Sequence, residues 1–379
     1  MTVILHVQPV AERGGSDQLL LRMIRDLPST EFESHVVVPG PSPLAADFEA
    51  AGARLHIVPM RRLTLSAALA YRVAYALAWP LVVARIALVA RRVHADVVHT
   101  NSLHSLYGWA VALLVHRPHV WHAREIVVQS GPALRLERLL ARRFADVVVA
   151  ASSAIATQLQ PDNVRVMIDG VDPDVFGPHR AGHFRAAEGI ADDAPLCGFA
   201  GRVDTWKGLD VLLDAFTLVR ESSPAAELVI AGGTVLGKEG YAAALRERVK
   251  SMPGVRWLGA RDDVPEMLAD LDVFVLPSTT PEPFGMALVE ALASGVPSVA
   301  TDAGGPREIA ALAGDALQLV PPGAAAPLAR AVTSRLPGTS SAAGRRARAP
   351  RWTAPPADYA GLFRDVSKRE ALTKRLGPR

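Results

Sequence analysis

Two glutamates, Glu282 and Glu290, stand with seven residues between them in PSTTPEPFGMALVEALASGVP, residues 277–297. Pro283, Phe284 and Gly285 mark a helix start, and residues 286–293 continue it with strong helix formers. The first N–H groups of a helix lack intrahelical acceptors and carry partial positive charge, so Gly285, Met286 and Ala287 form an anion site. Glu282 falls just outside that end and Glu290 nearly two turns inside it. A carboxylate repels phosphate but accepts hydrogen bonds from sugar hydroxyls. One phosphate site flanked by two carboxylates suits a ligand that reads hydroxyl, phosphate, hydroxyl, as a nucleotide-sugar does.

A second cluster, GRVDTWKG at residues 201–208, directly follows the apolar run 196–200. Strand, glycine-containing turn and a helix opening near Lys207 together bring backbone and cations to a phosphate. Arg202 can fork onto two phosphate oxygens, while Lys207 acts as a compact point charge. The two charges are enough to neutralise a leaving diphosphate without a metal ion. Only 5 of the 41 cationic residues are Lys, so a Lys here is a chosen residue. A third string, Arg13-Gly14-Gly15-Ser16-Asp17, follows the first strand and opens a helix. Its glycines allow close backbone approach, with Gly15 at the approach point and Ser16 or Asp17 near the positive helix end. No G-x-G-x-x-G follows any leading strand, which argues against a nicotinamide-dependent dehydrogenase. The eleven His include no H-E-x-x-H, and the D-x-D strings at 172–174 and 270–272 read as chance, so neither metal nor cofactor is implied.

The E-x7-E segment and the G-R-x4-K-G string together resemble retaining glycosyltransferases of the GT-B fold, specifically the large family 4 of nucleotide-sugar-dependent enzymes. The resemblance implies that Glu290 binds the donor ribose and that Glu282 lies against the transferred sugar. The helix start at 284–287, with Arg202 and Lys207, holds the diphosphate, and the Gly14–Gly15 loop approaches the donor from across a cleft. The string VWHARE, residues 120–125, is similar to the family segment that carries a His beside the transferred sugar. It makes His122 a candidate for hydrogen bonding to sugar hydroxyls or for stabilising charge at the reacting carbon. Arg124 and Glu125 become candidates for acceptor contacts. Residues 255–268 resemble the family's F-x-G segment and following helix, where a residue near Val264 approaches the base. AGGPRE at 303–308 resembles a G-G-x-x-E turn lining the cleft. DGVDPDVF at 169–176 resembles the interdomain turn, with Asp169 in place of the family's Asn. After Glu308 the match loosens. In this family retention is explained by same-face attack, so neither glutamate need be a nucleophile.

The elements that must position these residues follow from composition and period. A chain of 379 residues exceeds the size at which one core keeps growing, so two domains are expected. Seven short β-branched runs between residues 3 and 168 alternate with helical segments, and six short runs between 195 and 320 repeat the scheme. That alternation indicates βαβ units and parallel sheets, hence an α/β chain of two Rossmann-like doubly wound domains facing a central cleft. The expected division is an acceptor-side domain at 1–170, a linker at 171–194, a nucleotide-sugar-binding domain at 195–350 and a C-terminal helix at 351–379 returning toward the first domain. The Ala/Arg/Ser/Gly-rich residues 337–350 read as a loop or loosely held connection.

Net charge is only +3, yet residues 61–143 carry twelve Arg against three acids, a surplus of nine. Such basicity interleaved with Trp79, Trp109 and apolar runs suits an anionic membrane surface or an anionic acceptor. No nucleic-acid-binding motif accompanies it. Residues 63–90 are apolar but interrupted by Arg72 and Arg85, and Pro80 should kink a helix there. The longest uncharged run, 73–84, is short of the roughly 30 Å of hydrocarbon a spanning helix must cross. A core helix, an interfacial helix gripped by Arg61, Arg62, Arg91 and Arg92, and a membrane span all remain open. The single Cys197 sits in an apolar strand and fits a reducing compartment, and no signal pattern opens the chain. The expected setting is cytoplasmic, peripheral on the inner face of the plasma membrane. The expected partners are a nucleotide-diphosphate sugar and a glycan or lipid-linked hydroxyl acceptor. A nucleotide-sugar epimerase of the same fold, or a catalytically silent membrane-associated binding module, are the rival readings.

Overall fold

The structure is a computed structural model that describes residues 1–12, 14–61, 69–127, 131–160, 162–235, 237–336, 341–352 and 357–376. Arg13, Arg62 and the first part of the expected loop, 337–340, lie outside the described residues. The chain forms two compact units, Met1–Asp169 with Ala357–Arg379, and Gly170–Pro356.

The first unit is built on a seven-stranded, all-parallel sheet. Its strands are β1 (Thr2–Val7), β2 (Phe32–Val38), β3 (Arg54–Ile57), β4 (Val97–Thr100), β5 (His119–Ala123), β6 (Val147–Ala150) and β7 (Val164–Val166), in the order β3-β2-β1-β4-β5-β6-β7. The order reverses between β1 and β4, where Ile4 pairs with Val97, and such a switch point opens a crevice at the carboxyl ends of the strands. Helices cover both faces, so strands such as β6, VVVA, are apolar and buried along their whole length. On one face Leu20, Phe48 and Val36 pack with Phe363 of the helix Tyr359–Leu376. On the other, Val37 and Val98 meet Val83 and Ile86 of the helix Leu69–Arg92.

That second helix resolves part of the open question at residues 63–90. It runs through Pro80, and its inward face, Tyr75, Val82, Val83, Ile86, Ala87 and Ala90, is buried in the core. Its outward face exposes Leu69, Val73, Leu77, Leu81 and Leu88 to solvent. By length and composition it is the one helix among the described residues that could cross a membrane.

The second unit repeats the plan with six parallel strands: β8 (Leu196–Ala200), β9 (Glu227–Ala231), β10 (Val255–Gly259), β11 (Val273–Leu276), β12 (Ser298–Thr301) and β13 (Leu317–Val320), in the order β10-β9-β8-β11-β12-β13. Phe199, Leu213, Phe216, Ile230 and Val275 centre its core.

The expected linker contains a short helix, Phe184–Glu188, and two segments are held by ion pairs. Residues 182–185, expected in a linker, and residues 345–348, expected in a loose loop, are fastened to the second unit by buried charge. Asp270 accepts from the N–H groups of Gly182 at 2.7 Å and Phe184 at 3.0 Å, and from Arg345 Nε at 3.0 Å. Asp272 accepts from Arg185 Nη2 at 2.8 Å, Arg348 Nη2 at 3.1 Å and the Leu196 N–H at 2.9 Å. The 270–272 string is therefore a structural clamp. Charges removed from water persist only when paired and hydrogen-bonded, and Asp270 and Arg345 are both fully buried. Asp270→Ala would leave buried Arg345 with Asp192 alone as its ion-pair partner and free the Gly182 and Phe184 N–H groups, and urea unfolding should show a loss of about 3–5 kcal/mol. An unchanged midpoint would rule out the clamp.

Candidate active site

In the second unit the phosphate-type loop after β8 and the E-x7-E segment after β11 are brought together. Thr279 N–H donates to the Trp206 carbonyl at 2.8 Å. Gly208, at φ +69°, approaches so closely that a Cβ there would sit 2.1 Å from the Pro277 carbonyl oxygen. Lys207 Nζ donates to both oxygens of Glu282, at 2.9 and 2.8 Å, and lies 4.2 Å from the Trp206 ring centroid. Glu282 also accepts from Ser278 Oγ at 2.7 Å and is only 5% exposed. The AGGPRE turn presses on the same loop: Gly305 N–H donates to the Glu282 carbonyl at 2.8 Å. A Cβ on Gly304, at φ +78°, would fall 2.1 Å from that oxygen. Two glycines thus let three loops close around one carboxylate.

The helix Met286–Ala293 begins just beyond, with Gly285 as its N-cap, buried Phe284 before it and Met286 and Ala287 in its first turn. Their N–H groups belong to the unsatisfied end. Arg202 is exposed and forms no hydrogen bond or ion pair among the described residues. Glu290 is partly buried inside the helix, and burial pushes its carboxyl up to about 7. Val264 opens the helix Val264–Asp270.

In the first unit the carboxyl ends of β1, β4 and β5 gather a buried polar network. His122, on β5, is fully buried; burial, then the Arg124 charge, hold its imidazole neutral, well below its usual range. Its Nδ1 lies 3.4 Å from Arg124 Nη2, and its Nε2 has no partner among the described residues. Arg124 donates to Asn101 Oδ1 at 3.0 Å and forms an ion pair with Asp169. Tyr359, from the C-terminal helix, donates to the other oxygen of Asp169 at 2.7 Å. Glu125 accepts from Ser102 Oγ and, at 2.9 Å, from the Leu103 N–H. Arg124 and Glu125, expected to face an acceptor, are thus both engaged within the unit. Gly15 is the exposed first residue of the helix Gly15–Asp26, and buried Asp17 beside it has its carboxyl raised to about 6 by burial.

The sequence reading named Lys207 and Glu282 separately but missed their contact, and missed Ser278, Asn101 and Tyr359 altogether. Ser278 stood inside the quoted motif and could have been found there. Tyr359 carried no local signal.

Solved structures share this fold. The Anabaena protein HepE, in complex with UDP and glucose, aligns over 100% of both chains with a TM-score of 0.77 and 22% identity. The architecture is that of the GT-B proteins, an α/β fold of two Rossmann-like doubly wound parallel sheets. The family model for Glycosyltransferase Family 4 matches residues 13–175, and that for Glycosyl transferases group 1 matches residues 194–336. The chain belongs to the family 4 glycosyltransferases. Alpha-maltose-1-phosphate synthase of Mycolicibacterium smegmatis is 30% identical over 246 residues, 57% of this chain and 62% of that one. D-inositol 3-phosphate glycosyltransferase of Jonesia denitrificans is 32% identical over 241 residues, 55% of this chain and 56% of that one. The match thus spans less than two thirds of the length of these curated relatives.

The raised Glu290 carboxyl has a measurable consequence. The folded state keeps the proton to higher pH than the unfolded chain, whose carboxyl titrates near 4.5. Its stabilising contribution is full below that value and is lost as pH rises through about 7. Glu290→Gln cannot ionise, so from pH 4.5 to 8 it should lose about 1–3 kcal/mol less stability than the native chain in urea unfolding. Parallel stability profiles would reject the shift.

Proposed function

We propose that this protein is a retaining glycosyltransferase that moves a sugar from a nucleotide-diphosphate sugar to a hydroxyl acceptor in cell-envelope, lipid-linked or polysaccharide synthesis. The observation that carries the reading is the Lys207–Glu282 pair, stapled beside the start of the helix Met286–Ala293 with Arg202 uncommitted nearby in sequence. A diphosphate at that helix end offers Lys207 a stronger anion. Glu282, released from the ammonium but still held by Ser278, then accepts hydrogen bonds from the sugar.

As the bond between sugar and phosphate breaks, charge grows on the leaving oxygen. The Met286 and Ala287 N–H groups are already oriented by the helix, while Lys207 turns from Glu282 and exposed Arg202 closes in to add the remaining countercharge. These two cations supply the countercharge that a metal ion would otherwise give. Glu290 takes the ribose hydroxyls, and Val264 and Phe284 flank the donor. The acceptor hydroxyl attacks on the face the diphosphate leaves, its oxygen bonding to the anomeric carbon as the bond to phosphate breaks and its proton passing to the departing phosphate oxygen, which preserves anomeric configuration. His122 fits a sugar contact because a neutral imidazole with an orphaned, buried Nε2 requires a hydrogen-bond partner. UDP-sugars are the first donors to try, since the HepE structure holds UDP and glucose.

The same reading places the protein in the cytoplasm, peripheral on the inner face of the plasma membrane. Exposed Leu77 and Leu81 beside exposed Arg72 and Arg85 on one helix support that placement.

The test is transfer of labelled sugar from UDP-, GDP- and ADP-sugars to hydroxyl acceptors, after a thermal-shift screen for the donor. Arg202→Ala, an exposed change, should leave folding intact and lower kcat about 100-fold. Glu282→Gln should do at least as much, EDTA should leave the rate unchanged, and NMR of the product should show the donor's anomeric configuration. An inverted product rejects retention. Acceptor-free turnover of the donor sugar favours the epimerase, and full function in Glu282→Gln favours a silent binding module.

A further inference from the structure

At the carboxyl edge of the first sheet, away from the buried histidines, lies a cavity of ≈ 290 Å³. Pro39, just past β2, and Pro59 and Met60, just past β3, form one wall; Ala78 and Val82 of the helix Leu69–Arg92, with Tyr107, form another. The cavity opens on the same strand edge as the loop after β1 and Arg124 after β5, the edge at which parallel α/β sheets bind ligands.

Its walls are apolar, yet two polar groups stand unmatched. Tyr75 lines the cavity and is 6% exposed, and its hydroxyl, beside that of Tyr107, makes no well-formed hydrogen bond among the described residues. Arg61 also lines it, exposed, with its guanidinium 5.5 Å from the Tyr71 ring centroid and no ion pair to any described carboxylate. The Arg61 main chain is fixed by Tyr107, whose hydroxyl donates to its carbonyl at 2.8 Å and accepts from its N–H at 3.3 Å. An apolar slot with one buried hydroxyl and one free guanidinium matches a chain carrying an anionic head.

The helix that closes the slot supplies a second, independent pointer. Its outward face exposes Leu69, Val73, Leu77 and Leu81, one per turn, while Ala78 and Val82 face the cavity. The helix Leu69–Arg92 contains no acid and exposes Arg72 and Arg85. Soluble helices seldom expose leucine on successive turns, and this row presents apolar surface continuous with a helix whose other face lines the slot.

We propose that this cavity is a subsite for an amphiphilic acceptor, seating one acyl or isoprenoid chain with its phosphate-type head at Arg61. The proposal deepens the glycosyl-transfer reading by assigning the acceptor's apolar part, and it can fail separately from it. The experiment titrates the whole chain with decyl phosphate below its micellar concentration, with decanol and with inorganic phosphate, by calorimetry. Decyl phosphate should bind at least 10-fold more tightly than either. Ala78→Phe, which fills the slot, should weaken decyl phosphate at least 10-fold. Arg61→Ala, an exposed change that tests the site even if the filled variant fails to fold, should erase the preference for decyl phosphate over decanol. Native affinity in both variants, or equal binding of inorganic phosphate, overturns the subsite. Nucleotide-sugar thermal shifts on the same samples report the donor site. Decyl phosphate binding that follows this pattern without any donor shift would keep the subsite and reject the donor assignment.

Discussion

A carboxylate shielded from water stays ionised only beside a cation that can reach it, and the second unit is arranged around that constraint. Glu282 meets Lys207 through both oxygens, with Ser278 completing its shell. The close approaches at Gly208 and Gly304 exist because three loops must converge on this one group. Removing either partner of such a pair costs far more than the pair itself contributes. Under the proposed function, an incoming diphosphate would enter by exchange, replacing one anion for Lys207 while sugar hydroxyls replace one donor for Glu282. On the same proposal the helix start would add partial positive charge where the leaving group carries its negative charge.

The first unit solves the same problem differently. Arg124 is balanced by Asp169, and Asp169 is held from its other oxygen by Tyr359 of the C-terminal helix. With that charge fixed beside it and water excluded, His122 stays neutral. A neutral imidazole can donate from one nitrogen and accept at the other, which suits contact with hydroxyls more than proton abstraction at ordinary pH. Charge pairing also holds the frame of the second unit, where Asp270 and Asp272 gather Arg185, Arg345 and Arg348.

Much of this was legible in the chain because it is local. The thirteen strands among the described residues announce themselves as short apolar, often β-branched runs between turn residues, since a parallel strand buried on both faces needs nothing from distant sequence. The glutamate spacing and its helix start lie within one segment, as do the glycines at 14–15 and 201–208. Family membership rests on the matches over residues 13–175 and 194–336. The boundaries of the helix Leu69–Arg92 were less clear, because both of its faces are apolar and no period separates them.

The chain alone determined the α/β class, the two sheets and the residues with the chemistry for a sugar and a phosphate. Tertiary structure alone decided the partners. Lys207 and Glu282 are 75 positions apart, Arg345 and Asp270 also 75, and Tyr359 and Asp169 190. With 41 cationic residues facing 38 acidic ones, no spacing rule selects those pairs. Strand order and loop closure do, because an ion pair or hydrogen bond forms only where the folded backbone delivers both groups to within about 3 Å.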